Sequence, residues 1–159
     1  MADAWWLPPD GDPIGPMALE VTCRMAGPVC RLQVKQTGFD SFEFGLEDVS
    51  HVDPQKLKDK ATHIGLKLVI CGAFGPDRDL THDDASVREN SLNYITEAIK
   101  ICQKSGTEVL AGPMYSAVGK RRHVTPDQKK TEWDLAVKGL KEAGRRAKDQ
   151  GVRLAVEPL

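Results

Sequence analysis

The chain has 159 residues and a formal net charge of −1. That is about one domain, long enough to bury a core. With near-zero charge and no basic block, binding to nucleic acid or to an anionic membrane has no electrostatic support. No apolar stretch approaches the roughly 20 residues needed to span a bilayer. The start, MADAWWLPPDGDP, is acidic and lacks a basic and an apolar region, so it does not read as a secretory signal. Cys23, Cys30, Cys71 and Cys102 form no CxxC and no zinc-finger spacing with histidine. Reduced thiols in a cytoplasmic protein are the expectation.

Residues 1–37 read as an irregular N-terminal segment with a degenerate first β/α unit. Trp5 and Trp6 precede Pro8, Pro9, Pro13 and Pro16, with Gly11 and Gly15 between them, a composition of turns and loops. Met17 to Cys23 reads as a short strand. The following helical pattern is interrupted at Gly27 and Pro28, and Val29 to Thr37 reads as a last turn or two.

From Gly38 a repeat sets in: GFDSFEF, GLKLVIC, GTEVLAG and GVRLAVE. Each is a glycine, one or two polar residues and then an apolar run, which reads as a strand. Gly65, Gly106 and Gly151 each follow a helical pattern, as expected of a residue just past a helix end. The helices have start signals. Asp53-Pro54 is an N-cap with proline at the first position. Ser86 with Glu89, and Thr125-Pro126 with Gln128, read as capping boxes. Leu57, Ala61 and Ile64 line the first helix, and Leu92, Ile95, Ile99 and Cys102 line the second. Trp133, Val137, Leu140, Gly144 and Ala147 form the apolar stripe expected of the third.

Strands alternating with helices imply parallel β/α units with right-handed crossovers. No Gly-x-Gly-x-x-Gly follows a strand and no Walker lysine is present, which weighs against a nucleotide-binding open sheet. The fold class is therefore α/β, a partial (β/α)8 TIM barrel over residues 38–159, truncated after about the fifth strand. A full barrel takes about 250 residues.

In such a fold the strand ends and the loops after them carry function. Glu157 ends the last strand, where a carboxylate is costly unless paired or bound to metal. Glu43 closes FDSFE as a barrel-mouth carboxylate or a surface glutamate. Cys71 closes LKLVIC, either as a small buried residue or facing substrate. In the tight turn after Gly112 and Pro113, Tyr115 is placed to wall a pocket. His51, His63, His82 and His123 fall in loops or on helices and read as solvated. Lys120, Arg121, Arg122 and His123 make a basic loop, solvated by default, with contact to a sugar phosphate as the sharper reading.

GFDSFEF, LKLVICGAFGPDRDLTHDDASVREN, GTEVLAGPMYSAVGK and GVRLAVEPL resemble, in this order, the ketose 3-epimerases of the xylose-isomerase-like barrel group. The most specific pieces are Asp84-Ala85-Ser86-Val87-Arg88, the loop GPMYSAVGK and the terminal VEPL. The resemblance implies a (β/α)8 barrel acting on a small ketose sugar, with no nucleic-acid or membrane partner. It implies a divalent metal, manganese or cobalt with magnesium as an alternative, held by two glutamates, an aspartate and a histidine. Glu157 matches the first of these glutamates, both metal ligand and acid/base. Cys71 matches a residue beside the substrate, and Pro113 and Val118 match a pocket wall where several members have tryptophan. The other ligands belong to later strands, so the chain is expected to be inactive alone and part of a longer protein, for which a homo-oligomer is the expectation. The alternatives are another sugar or sugar-phosphate isomerase of the same barrel group, or a non-catalytic remnant that binds through its strand edge.

Overall fold

A computed structural model describes residues 35–158. The expected strand at residues 17–23 and the break at Gly27 and Pro28 lie outside them. Four strands, β1 (Ser41–Leu46), β2 (Lys67–Gly72), β3 (Val109–Gly112) and β4 (Arg153–Val156), alternate with three helices, α1 (Pro54–Ile64), α2 (Ala85–Ser105) and α3 (Pro126–Asp149). The sheet order is β1-β2-β3-β4 and every pairing is parallel. All four repeats foreseen from the glycines are therefore strands of one sheet. Among the described residues no helix is long and apolar enough to cross a membrane.

Side chains alternate between the two faces of each strand. Phe42 and Leu46, Ile70, and Leu110 point to the helical layer, where they are buried. Leu46, Ile70 and Leu110 share one core with Ile95, Ala98, Ile99 and Cys102 of α2 and Ala143 and Ala147 of α3, while Phe42 packs with Leu66 in a smaller cluster. Burial pushes the Cys102 thiol up to about 12, so it is an inert part of this core.

The helix ends follow local chemistry. Asp53 accepts from the amides of Gln55 and Lys56, with Pro54 in the first turn. Thr125 and Gln128 form the expected reciprocal box. The middle helix differs from expectation. Its N-cap is Asp84, which accepts from the Ser86 amide at 2.8 Å and the Ser86 hydroxyl at 2.9 Å. A carboxylate two residues upstream reaches the free amides better than the shorter Ser86 hydroxyl, so no box with Glu89 forms. The stripe of α3 is also rotated. Ala136, Gly139, Ala143 and Ala147 are the buried residues, whereas Trp133 is 70% exposed. Small residues are needed there because α3 packs closely: a Cβ on Gly139 would stand 2.9 Å from Leu80.

Two interactions hold the carboxyl ends of the strands. The Tyr94 hydroxyl of α2 donates to the Leu46 carbonyl at the end of β1 and accepts from the Ala73 amide just past β2 at 2.9 Å. Arg78 stacks 4.1 Å over the Tyr94 ring and donates to the Glu47 and Ala73 carbonyls. Farther along, Lys120 donates to Asp79 at 2.9 Å and to the Thr81 hydroxyl at 2.7 Å, and lies 3.3 Å from Glu132. This ties the loop after β3 to the loop after β2 and to α3. Burial alone would raise the Asp79 carboxyl, but the Lys120 ammonium and the Thr81 hydroxyl and amide outweigh it and hold it below the usual range.

Tyr94→Phe leaves the Leu46 carbonyl and the Ala73 amide without this partner and is expected to cost about 1–3 kcal/mol in chemical denaturation. Asp79→Asn breaks a buried ion pair and is expected to cost about 3 kcal/mol, near the low end for such pairs because Lys120 keeps Glu132. Because the folded Asp79 carboxyl sits below its unfolded value, its contribution is full above the unfolded value and fades as pH falls through the folded one. The gap in melting temperature between the wild type and Asp79→Asn should therefore narrow below about pH 4.

Candidate active site

The sheet face opposite the helices carries the candidate residues. The register aligns Gly45 with Cys71, Cys71 with Ala111, and Ala111 with Ala155. These four form one layer, and three of them have almost no side chain. Glu43 points from the same face of β1, two residues before Gly45. Glu157 follows Ala155 by two and lies just past β4. Because glycine and alanine leave room in the layer between, Glu43 from one side and Glu157 from the other reach the Cys71 sulfur. One ligand atom of each lies within 4.8 Å of the other two.

Glu43 is 4% exposed, while Cys71 and Glu157 are half-buried. Glu43 does not end its strand, as the sequence suggested; β1 runs on to Leu46. The Glu157 amide donates to the Gly112 carbonyl at 3.1 Å, which continues the ladder past β4 and fixes where the carboxylate begins. Gly112 has φ +131°, and a Cβ there would stand 2.9 Å from the Gly72 carbonyl, so β2 and β3 come this close only with glycine. The donor set of two carboxylates and one thiol fits a divalent cation, with oxygen donors for a hard ion and sulfur for a softer one.

The other expected residues are placed elsewhere. Pro113 is buried in the turn after β3. Tyr115 and Ser116 lie across an apolar groove of about 390 Å³ from Trp133, Val137 and Leu140. Val118 is 55% exposed, its amide bonded to the Phe74 carbonyl at 2.9 Å. A larger groove, of about 680 Å³, runs between α2 and α3 and contains none of the candidate residues. In the basic loop Lys120 is paired as described, and Arg122 pairs with Glu132 and lies 3.7 Å from Asp83. The four histidines lie in loops or on helical turns, as expected. What the reading of the sequence missed was the joining of Glu43, Cys71 and Glu157. The signal was there in the aligned small residues of four strands, but using it requires the register.

The family model for the xylose isomerase-like TIM barrel matches residues 32–159. A probable ketose 3-epimerase of Synechocystis sp. is 33% identical over 85 residues, which are 54% of this chain and 30% of the relative. The D-psicose 3-epimerase of Ruminiclostridium cellulolyticum is 25% identical over 130 residues, 80% of this chain and 44% of the enzyme. A crystal structure of D-psicose 3-epimerase in the presence of D-fructose superposes with a TM-score of 0.73 at 20% identity, covering 83% of this chain and 46% of that one. A structure of L-ribulose 3-epimerase gives 0.71 at 24% identity, covering 82% and 42%. The chain thus spans less than half the length of these relatives. The parallel β/α order, the strand-end cluster and the family match over residues 32–159 agree, and the chain belongs to the xylose isomerase-like TIM barrel family.

Proposed function

We propose that this chain forms the substrate-facing wall of a ketose 3-epimerase, with Glu157 as its acid/base carboxylate. The observation that carries this reading is the position of Glu157: half-buried, just past the carboxyl end of β4, on the face where Glu43 and Cys71 converge. The relatives named as epimerases of D-psicose and L-ribulose support the substrate class, a small ketose.

Epimerisation next to a carbonyl removes a weakly acidic C–H proton and returns it on the other face. A divalent ion held by Glu157, manganese or cobalt with magnesium as an alternative, would polarise the carbonyl and stabilise the charge that develops. Glu157 takes the proton from one face of the sugar. Inversion then needs a second carboxylate across the carbon. Two bases, each about 3 Å from the reacting carbon on opposite faces, stand about 6 Å apart. Glu43 lies within 4.8 Å of Glu157, closer than that spacing, so it is not that second base. The pairing of Lys120 and Arg122 with internal carboxylates weighs against the sugar-phosphate alternative, because it consumes the cations that a phosphate would need.

The test is a chimera in which residues 38–159 replace the matching segment of the D-psicose 3-epimerase of Ruminiclostridium cellulolyticum. The chimera is expected to epimerise D-psicose, and Glu157→Gln within it to lose about 100-fold or more in kcat/KM at unchanged thermal midpoint. A folded but inactive chimera, or one indifferent to Glu157→Gln, refutes the assignment. The 159-residue chain by itself, given manganese and D-psicose, is expected to form no C3 epimer detectable by chromatography. Epimer formation would show that a second base exists within the chain.

A further inference from the structure

After β3 the chain runs along the carboxyl end of the sheet from Pro113 to Lys120. Met114 is wholly buried, and its amide donates to the Gly112 carbonyl at 2.9 Å. Four residues on, the Val118 amide donates to the Phe74 carbonyl, in the loop after β2, at 2.9 Å. A turn follows, in which the Lys120 amide donates to the Ala117 carbonyl at 3.2 Å. Gly119 takes the left-handed conformation at the third position of this turn, with φ +79°. The turn carries the Lys120 side chain back to the loop after β2.

There Lys120 meets a carboxylate that is already fixed. Asp79 Oδ1 accepts from the Thr81 amide at 2.8 Å and from the Thr81 hydroxyl at 2.7 Å. The other oxygen, Oδ2, accepts from the Lys120 ammonium at 2.9 Å, and the Thr81 hydroxyl accepts from it at 2.7 Å. Glu132 of α3 lies 3.3 Å away as a third partner. An ammonium has three N–H donors, so none remains for a sugar hydroxyl. Asp79 and Thr81 are 1% and 5% exposed, so water competes little for the pair.

We propose that Lys120 is a positioning residue for the epimerisation: it holds Tyr115 and Val118 where they wall the sugar, and so sets substrate affinity without touching the substrate. The inference deepens the epimerase reading and rests on it for a sugar beside this wall. Val118 is 55% exposed, and a backbone bond at an exposed residue opens at low cost. The buried ion pair two residues later holds it closed. A wall of this kind binds the sugar alike before and during proton transfer, so loosening it raises KM and leaves kcat, whereas loss of an acid/base lowers kcat.

Lys120→Met alone would strand the buried Asp79 carboxylate. The test therefore uses the double variant Asp79→Asn with Lys120→Met, which removes both charges and keeps an acceptor for Thr81. In the chimera described above, this variant is expected to raise KM for D-psicose about tenfold and to keep kcat within about threefold. In the 159-residue chain, hydrogen exchange followed by NMR is expected to show the Val118 amide exchanging about tenfold faster, with the amides of β1 and β2 unchanged. Unchanged exchange at Val118 overturns the clamp, whatever the kinetics. Acceleration throughout β1 and β2 also overturns it, because the pair is then a general support of the fold. Faster exchange at Val118 with unchanged KM, or with the loss falling mainly on kcat, overturns the positioning role. A chimera that is inactive with Asp79 and Lys120 in place refutes the epimerase reading itself, and the role in sugar affinity falls with it. The exchange result then judges the clamp on the loop separately.

Discussion

The hydroxyl of Tyr94 is the point on which the mouth depends. Parallel strands end with carbonyls and amides that have no further ladder to join, and each such group buried without a partner costs free energy. Tyr94 reaches up from α2 and bonds both the Leu46 carbonyl and the Ala73 amide, which also bond each other at 3.3 Å. It thereby sets the ends of β1 and β2 side by side and fixes them to the helix that carries most of the core. Burial of the ring raises the hydroxyl above its ordinary value, so it stays a donor throughout the physiological range. Phe74 meets the same ring edge-on with centroids 5.4 Å apart, and Arg78 covers its face. One aromatic side chain thus joins the hydrophobic layer to the polar rim.

With the ends fixed, the width of the mouth is set by side-chain volume. Gly45, Ala111 and Ala155 leave space on the face opposite the helices, while the helical face of the same strands is filled by Phe42, Ile70 and Leu110. Close packing on one face and vacancy on the other are two consequences of one alternation. A single larger side chain at Ala111 would separate Cys71 from Glu157 without touching the core, so the cluster is a property of the small layer as much as of its three donors.

The sequence was legible where a signal is local. Helix starts at Asp53 and Thr125, left-handed glycines at Gly65, Gly106 and Gly151, and all four described strands follow from spacing and turn chemistry. It was less legible where two local signals compete. Asp84 and Ser86 both suit an N-cap, and the longer-reaching carboxylate takes it. In α3 the larger apolar residues suggested a stripe through Trp133, but close approach to Leu80 selects the alanine and glycine face instead. Periodicity marks which residues are apolar, and packing distance decides which of them are inside. The joining of Glu43 to Glu157 was not legible from local signals, because the small residues that permit it align only through the register across four strands.

The basic loop illustrates the same limit for charge. Lys120, Arg121, Arg122 and His123 lie together in sequence, and a run of this kind invites an anionic ligand. The fold brings Asp79 and Asp83 of the loop after β2, and Glu132 of α3, to the same place. Asp79 is almost wholly buried, so its charge needs a permanent partner, and Lys120 is that partner. A phosphate competing for Lys120 would have to leave a buried carboxylate unpaired, at a cost of several kcal/mol. Lys120 and Arg122 are therefore satisfied from within. They hold the segment bearing Tyr115 and Val118 in position, and an uncharged polyol meets less resistance at this rim than a sugar phosphate does.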